Sequence, residues 1–273
     1  MEKREWQGKT GQTWAAEWQR TDRSFGGLTD RLLARIRDAK WTNAVDVGCG
    51  AGELTLALAR ANPRNRITGV DISPDLVSTA TGRGEHLANA SFVNADAANW
   101  QPASGPAPDL VVSRHGVMFF EDPVAAFANI RGFAAEGASL IFSCFRPPSE
   151  NLIFTEVAAQ LPPLDIPPPD PRAPGPFAFA DPDYARSVLE GGGWSDVRFE
   201  AVDFAMIAGA GDDPVEDALA YWLSIGPAAM RLAEMDDVTR QECIVRIRKL
   251  AERNNFDGVV ALKGAAWIVS ASN

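Results

Sequence analysis

Residues 44–59, AVDVGCGAGELTLALA, have the types and spacing that could bind a ligand through the backbone. An apolar run leads to Asp46, and Gly48, Gly50 and Gly52 then fall on alternate positions. Glycines at a strand-to-helix turn allow a close approach of ligand and backbone, and the following helix N-terminus offers unpaired N–H groups. A dinucleotide, a phosphate and another nucleoside-like ligand are all compatible with such a turn.

The residues that follow the glycines discriminate between these ligands. The dinucleotide fingerprint G-x-G-x-x-G requires a glycine where this chain has Glu53, whose carboxylate would repel a pyrophosphate. Asp71, in the stretch GVDIS, lies 21 residues beyond Gly50. It ends a predicted second strand, where an acid can hold ribose hydroxyls. The pattern therefore disfavours NAD and favours a nucleoside ligand without phosphates.

Alternating strand and helix patterns over residues 44–145 predict how these side chains are positioned. The runs AVDVG, RITGVDI, SFVNAD, DLVVSR and SLIFSCF are apolar and suited to strands, and helical stretches separate them. This spacing predicts βαβ units and a parallel sheet that is covered on both faces. Open sheets of this kind bind ligands beyond the carboxyl ends of their strands, where the glycine turn would lie.

Two later segments depart from this alternation. Residues 162–176 contain eight prolines, which exclude a regular helix or an internal strand. We interpret residues 146–180 as an extended insertion over the mouth of a site, with a plain linker as the alternative. Residues 208–258 have helical spacing and predict a helical lid, which precedes a last apolar strand, AAWIVSA, at residues 265–271.

The motifs VDVGCGAGELTLALA, GVDIS, NADA and DLVVSRHGVMFF occur in this order, and with them the chain resembles class I S-adenosylmethionine-dependent methyltransferases. The resemblance implies a Rossmann-like α/β sheet of seven strands in the order 3-2-1-4-5-7-6, with strand 7 antiparallel and the lid between strands 6 and 7. It implies a methyltransferase domain over residues 41–273, preceded by an N-terminal helical cap over residues 1–40. The cofactor would be S-adenosyl-L-methionine, and the acceptor a small molecule with an O, N or C nucleophile.

The resemblance also implies a role for individual residues. Asp46 would anchor the amino group of the cofactor, and Asp71 would bind both ribose hydroxyls. Asp96 would accept a hydrogen bond from the adenine amino group, with a loop-capping aspartate as the alternative. The expected cofactor contacts are Asp46, Gly48, Cys49, Gly50, Gly52, Asp71, Ile72, Asp96, Ala97, Ser113, Arg114 and Trp14.

His115 follows the predicted fourth strand beside the expected methyl site and is the candidate general base. A sulfonium is already a good leaving group, so a base is needed only for an acceptor that is protonated at neutral pH. A positioning or structural role is therefore the alternative for His115. Trp14 and Trp18 share a predicted helical face that either docks on the core or caps the cofactor. Arg114 and Arg146 either bind a substrate carboxylate or pair with acidic neighbours.

The composition narrows the classes of partner. A net charge of −10 over 273 residues disfavours nucleic acid, and three scattered cysteines with two histidines predict no metal site. The sequence predicts neither a signal peptide nor a membrane span, so we expect a cytoplasmic monomer or homodimer that acts on a small molecule. The alternative from another functional class is a catalytically inactive S-adenosylmethionine-binding protein with a regulatory or assembly role.

Overall fold

The computed structural model describes residues 3–163 and 170–273, so residues 164–169 of the predicted insertion lie outside the described part. The helices are α1 (Lys3–Trp6), α2 (Lys9–Ala16), α3 (Trp18–Arg37), α4 (Glu53–Ala61), α5 (Pro74–Gly84), α6 (Pro123–Phe133), α7 (Leu152–Ala158), α8 (Pro182–Gly191), α9 (Pro214–Ser224), α10 (Pro227–Ala233) and α11 (Asp237–Arg253). The strands are β1 (Asn43–Val47), β2 (Arg66–Asp71), β3 (Ala90–Asn94), β4 (Leu110–Arg114), β5 (Ser139–Phe145), β6 (Ser195–Ala210), β7 (Asn255–Phe256) and β8 (Val259–Ser272).

The strands form one sheet in the order β3-β2-β1-β4-β5-β8-β6, and the two-residue β7 pairs with β8. Strands β1 to β5 are mutually parallel, whereas β8 is antiparallel to both β5 and β6. β8 contains the sequence AAWIVSA and therefore corresponds to the predicted strand 7. The predicted strand order 3-2-1-4-5-7-6 and the antiparallel direction of strand 7 are thus confirmed. The helices α9, α10 and α11 lie between β6 and β8, as expected for the lid.

The last two long strands extend further than the apolar sequence pattern indicates. β5 pairs with β8 no further than Ala266, opposite Phe145. β6 and β8 continue to pair with each other as far as Ala210 opposite Val259. The sequence at this end of β8, VVALKG, is apolar up to Leu262, and Lys263 with Gly264 separates it from the predicted last strand at residues 265–271. This two-stranded extension leads directly into α9.

The helices before β1 pack on the sheet through one apolar stripe. In α3, Phe25, Leu28, Leu32 and Ile36 recur at helical spacing and are buried. The prediction that Trp14 and Trp18 share a helical face is wrong, because α2 ends before Glu17 and a new helix begins after it. Within the described residues, none of the helices has the length and apolarity needed to cross a bilayer.

Candidate functional site

The carboxyl ends of β1, β2 and β4 open into a cavity of about 910 Å³. The N-terminal helices, α7 and the lid helices α9 and α10 also contribute residues to the wall of this cavity. Ligand pockets in proteins usually have a volume of about 300–1,000 Å³, so this cavity can hold a nucleoside together with a second small molecule.

The alternate glycines of the β1–α4 turn have different neighbours. Gly48 and Gly50 have positive φ angles of 66° and 55°. A Cβ at Gly48 would lie 2.6 Å from Gly116 Cα, so the close approach at this position is made by the protein itself. A Cβ at Gly50 would meet nothing within 4 Å, and Gly50 lines the cavity. Contrary to the sequence-based prediction, Gly52 lies outside the lining, where a Cβ would come 3.0 Å from Ala80.

Asp71 fixes the shape of this turn. Its carboxylate accepts hydrogen bonds from the backbone N–H of Gly50 at 2.8 Å and of Ser73 at 2.9 Å. The side chain is buried at the cavity wall, and this burial raises the pKa of Asp71, partly opposed by the two backbone hydrogen bonds. An acid with two donors already in place has lone pairs left for the hydroxyls of a ligand.

Asp46 is a buried acid with an unused acceptor atom. Its Oδ2 accepts a hydrogen bond from Thr55 Oγ1 at 2.6 Å, whereas its buried Oδ1 has no partner among the described residues. Burial raises the pKa of Asp46 to about 6. Because Asp46 lines the cavity below the glycine turn, an ammonium group of a ligand would satisfy Oδ1 and favour the charged carboxylate.

At the other end of the turn, Asp96 already has protein partners. Its Oδ1 accepts from the Ala98 N–H at 3.0 Å, and its Oδ2 lies 2.8 Å from Lys3 Nζ. The hydrogen bond to Asp96 raises the pKa of Lys3. Asp96 therefore caps its own loop and also holds α1 over the cavity, while Ile72 and Ala97 line the same end.

Ser113 does not reach the cavity, contrary to the prediction. It is completely buried, and its hydroxyl donates to the Val47 carbonyl at 2.6 Å and accepts from the Gly116 N–H at 3.0 Å. Ser113 thus ties the end of β4 to β1 beneath the cavity floor. Arg114 does line the cavity, but its guanidinium donates to Asp22 at 3.0 Å. The structure therefore shows the second alternative for Arg114, in which it pairs with an acidic neighbour and does not wait for a substrate carboxylate.

Arg146, the other arginine for which both alternatives were open, pairs with Glu150 and with Asp203, the latter at 2.8 Å. Glu53 also has a basic partner, because its carboxylate lies 2.9 Å from an Nη atom of Arg83. Since Glu53 is ion-paired and lies outside the lining, it does not repel a ligand as the sequence suggested. Asp46 and Asp71, at the ends of β1 and β2, are the buried acids of the described lining.

The N-terminal helices are tied to this site by charge and by aromatic packing. Asp22 of α3 lies 2.9 Å from Arg83, and the Arg83 guanidinium lies 3.6 Å from the ring centroid of Trp18. Farther along the wall, the Trp6 ring lies 5.6 Å from that of Trp14. Trp6, Trp14 and Trp18 all line the cavity, so these helices form an aromatic side of the site.

His115 has an unusual backbone conformation and a buried ring. Its φ angle is 64°, and its Nδ1 lies 2.7 Å from Ser143 Oγ. Burial lowers the pKa of His115 to about 3, so the imidazole is neutral at neutral pH. Its Nε2 is buried without a partner among the described residues, and the ring lines the cavity. Such a ring can position a ligand, but it is a weak base.

Several other side chains that line the cavity also carry buried polar atoms without partners in the described ranges. They include Trp6 Nε1, Trp222 Nε1 and Arg231 Nε, in addition to Asp46 Oδ1 and His115 Nε2. Buried polar groups in proteins are normally hydrogen-bonded, so a cluster of such atoms around one cavity indicates a binding site for polar ligand atoms. Sequence reasoning missed Trp222 and Arg231, because their helices carry no motif that indicates a ligand.

Residues 44–137, from β1 to the loop after α6, match a family model described as a methyltransferase domain. This segment contains the glycine turn, both acids at the strand ends and the loop after β4. This segment is a methyltransferase domain. The sheet order with its antiparallel strand agrees with this family, which the resemblance in sequence also indicated.

Two curated relatives of this methyltransferase domain align with part of the chain. The trans-aconitate 2-methyltransferase of Paracidovorax citrulli is 34% identical over 133 residues, which are 48% of this chain and 50% of that protein. The malonyl-[acyl-carrier protein] O-methyltransferase of a Paenibacillus species is 30% identical over 125 residues, which are 44% of this chain and 45% of that protein. The chain thus spans about half the length of these relatives.

A solved structure extends the likeness in fold beyond the methyltransferase domain. It is phosphoethanolamine N-methyltransferase 2 of Haemonchus contortus in complex with S-adenosyl-L-methionine, with a TM-score of 0.55 and 16% identity. The superposition covers 96% of this chain and 56% of that chain. At this identity the likeness establishes the fold of the chain alone.

Proposed function

We propose that this chain transfers the methyl group of S-adenosyl-L-methionine to a small molecule. The observation that carries the proposal is the unpartnered Oδ1 of Asp46, which is buried at the cavity wall below the glycine turn. A buried carboxylate with a free acceptor atom fits the ammonium of an amino acid moiety. Asp71 lies at the end of the adjacent strand with acceptor capacity for ribose hydroxyls.

In this proposal the chain's residues bind and orient the reactants. Asp46 and Asp71 hold the polar parts of the cofactor, and Ile72 with Ala97 packs against its adenine ring. The bound cofactor supplies an activated methyl group, so the protein has to align the acceptor and exclude water. Such positioning can contribute roughly 7–11 kcal/mol to lowering a barrier. His115 positions ligand atoms through its neutral Nε2 and is not required to remove a proton.

The roles of Asp96 and Trp14 in the proposal are more indirect. Asp96 keeps α1 over the adenine end through Lys3, and it can accept a further hydrogen bond because a carboxylate has about four lone-pair sites. Trp14 and Trp6 would cover the cofactor from the side of the N-terminal helices. A cytoplasmic location and a small-molecule acceptor accord with the acidic composition and remain predictions.

Calorimetric titration of the full chain with S-adenosyl-L-methionine and S-adenosylhomocysteine tests the binding half of the proposal. We expect binding of both ligands, and about 10- to 100-fold weaker binding to the Asp71→Asn variant, because the amide cannot accept from both backbone N–H groups. Asp30→Asn, which changes an exposed acid on α3, is the matched control and should bind normally. Absence of binding at millimolar ligand would overturn the proposal.

A transfer assay with radiolabelled methyl groups tests the catalytic half. Carboxylic acids, phenols and amines are offered separately, and the methylated product is extracted and identified by mass. Transfer to at least one acceptor class supports the proposal. Tight cofactor binding without methyl transfer to any of these acceptors would contradict the proposed enzymatic activity. It would favour the alternative, a catalytically inactive protein that binds the cofactor.

A further inference from the structure

The half of the cavity beyond His115 is lined mainly by apolar side chains. The apolar lining includes Phe145, the α7 residues Ile153 and Val157, and Trp222 and Ile225 of the lid region. This chamber is continuous with the part that contains the glycine turn. Apolar walls of this kind gain free energy by burying apolar ligand surface, at about 25 cal/mol per Å². The acceptor should therefore have an apolar body.

One cation of the chamber stands out because it has no acidic partner among the described residues. Among the basic residues that line the cavity in the described ranges, Lys3 pairs with Asp96, Arg114 pairs with Asp22, and Lys9 is exposed. Arg231 of α10 is partly buried, and its hydrogen bond to the Pro162 carbonyl uses one Nη atom. Its Nε is buried without a partner among the described residues.

The partners of Arg231 define what it can bind. A guanidinium has five N–H donors in a planar fork, which matches a carboxylate. One Nη of Arg231 is used by the Pro162 carbonyl, and Nε has no partner within residues 3–163 and 170–273. Trp222 Nε1, also buried at the cavity wall and without a described partner, is a second donor of the lid region. A ligand that brings acceptor oxygens would satisfy these two donors, for which the described residues supply no acceptor.

We propose that the methyl acceptor is a carboxylic acid with one carboxylate and an apolar body, and that Arg231 binds this carboxylate. The proposal rests on the proposed methyltransferase function and names its acceptor class. A molecule with three carboxylates does not fit, because the described lining offers one partly buried cation without an acidic partner and several acids, Asp46 and Asp71 among them. The acceptor thus differs from the trans-aconitate named for the curated relative.

A carboxylate also agrees with the chemistry available beside the methyl site. It is ionised at neutral pH and needs no base, and the neutral His115 is a poor one. A lone pair of the carboxylate oxygen forms the bond to the methyl carbon as the carbon–sulfur bond breaks and its electron pair stays on sulfur. The products are a methyl ester and S-adenosylhomocysteine, and no proton is released. The charges of the carboxylate and the sulfonium cancel in this step.

Binding measured without turnover tests the acceptor class. The full chain is first saturated with S-adenosylhomocysteine and then titrated calorimetrically with octanoate, 4-phenylbutyrate, the primary amides of both acids, and trans-aconitate. We expect both acids to bind at least about tenfold more tightly than their amides and than trans-aconitate, as for a charge-assisted hydrogen bond. Equal affinity for acids and amides, tighter binding of trans-aconitate, or no binding of either acid would overturn the proposal.

Variants of Arg231 identify the group that binds the carboxylate. Arg231→Met should remove the preference for acids over amides and leave the affinity for S-adenosylhomocysteine unchanged, and Arg231→Lys should restore part of the preference. Arg240→Met, which changes a half-buried arginine on α11 outside the cavity lining, is the matched control. An unchanged preference in a folded Arg231→Met protein contradicts the assignment. If the unaltered chain does not bind S-adenosylhomocysteine, the result would instead contradict the proposed methyltransferase function itself.

Discussion

Gly116, in the loop after β4, packs directly against Gly48, in the loop after β1. A Cβ at Gly116 would lie 2.5 Å from the Val47 carbonyl oxygen and 2.7 Å from Gly48 Cα. The two loops meet at the carboxyl ends of adjacent strands, and the Ser113 hydroxyl bridges them through Val47 and Gly116. The shape of the glycine turn therefore depends on the neighbouring loop as well as on its own sequence.

Substitution of Gly116 by alanine should distort the turn for steric reasons alone, because its φ angle of −77° suits any residue. We expect Gly116→Ala to lower the free energy of unfolding by about 1–3 kcal/mol, as is typical of overpacking, and to weaken cofactor binding. Chemical denaturation and calorimetry measure the two effects. Gly132→Ala, on α6 with open space around its Cβ, should be neutral or stabilise by up to about 1 kcal/mol. Equal behaviour of the two variants would contradict this interpretation.

The raised pKa of Asp46 predicts that cofactor binding depends on pH. With a pKa of about 6 in the free protein, this carboxyl is mostly protonated at about pH 5 and mostly ionised at about pH 7.5. The ammonium of the cofactor favours the ionised form, so the dissociation constant should rise about tenfold between these pH values as the pH falls. Calorimetry at both pH values measures this ratio.

Asp46→Asn provides the control for this pH effect. The amide cannot ionise, so the variant should bind the cofactor more weakly and with the same affinity at both pH values. A tenfold ratio that persists in the variant would assign the titration to another group.

Burial of Asp46 also affects the stability of the folded protein, because its pKa in the folded state lies above the ordinary value. The contribution of Asp46 to the free energy of unfolding therefore declines as the pH rises from about 4 to about 6, and it stays unfavourable above that range.

The fold could be predicted from the sequence because its signals are local and repeated. The apolar runs at residues 44–145 alternate with helical stretches, and each run became one parallel strand. The long antiparallel pairing of β6 with β8 was not predicted in full, because Lys263 and Gly264 interrupt the apolar run of β8. The sequence also contains no sign of the break between α2 and α3 at Glu17, because it has no glycine or proline at that position.

The site was only partly predictable, because sequence motifs mark loops but do not show which way side chains point. Asp46, Gly50 and Asp71 line the cavity as the motif indicates. Ser113 belongs to one of the same motifs, yet its hydroxyl donates a hydrogen bond to the Val47 carbonyl and does not line the cavity. Arg231 lies 117 residues after Arg114 in a helix without motif, and only the closure of the lid over the sheet places both at one cavity.

Asp22 connects α3 with two arginines of the methyltransferase domain, and its replacement should loosen that helix. It lies 3.0 Å from Arg114 and 2.9 Å from Arg83, and all three side chains are mostly buried. Asp22→Asn should lower the free energy of unfolding by about 1–3 kcal/mol, because two partly buried guanidinium groups lose a charged acceptor. Asp38→Asn, whose exposed carboxylate lies 3.9 Å from Arg35, should change it by less than about 1 kcal/mol.

Limited proteolysis separates a local effect of Asp22→Asn from global unfolding. If α3 loosens, cleavage near the N-terminus should accelerate while the sheet region stays resistant, and bound cofactor should slow the cleavage again. Proteolysis that is unchanged from the unaltered chain would show that the charge network does not hold the helix.

His115 should prove to be a positioning residue. A general base contributes typically about 10²–10⁴-fold to a rate, and an imidazole with a pKa of about 3 is poorly suited to that task at neutral pH. We expect His115→Asn to lower kcat by no more than about tenfold towards a carboxylic acid acceptor and to leave the pH profile unchanged between about pH 6 and 8. Asparagine tolerates the positive φ of this position, so the fold should persist. His86→Asn, at the exposed second histidine, is the matched control. A loss of 100-fold or more, with a new dependence of kcat on pH, would assign His115 as the base after all.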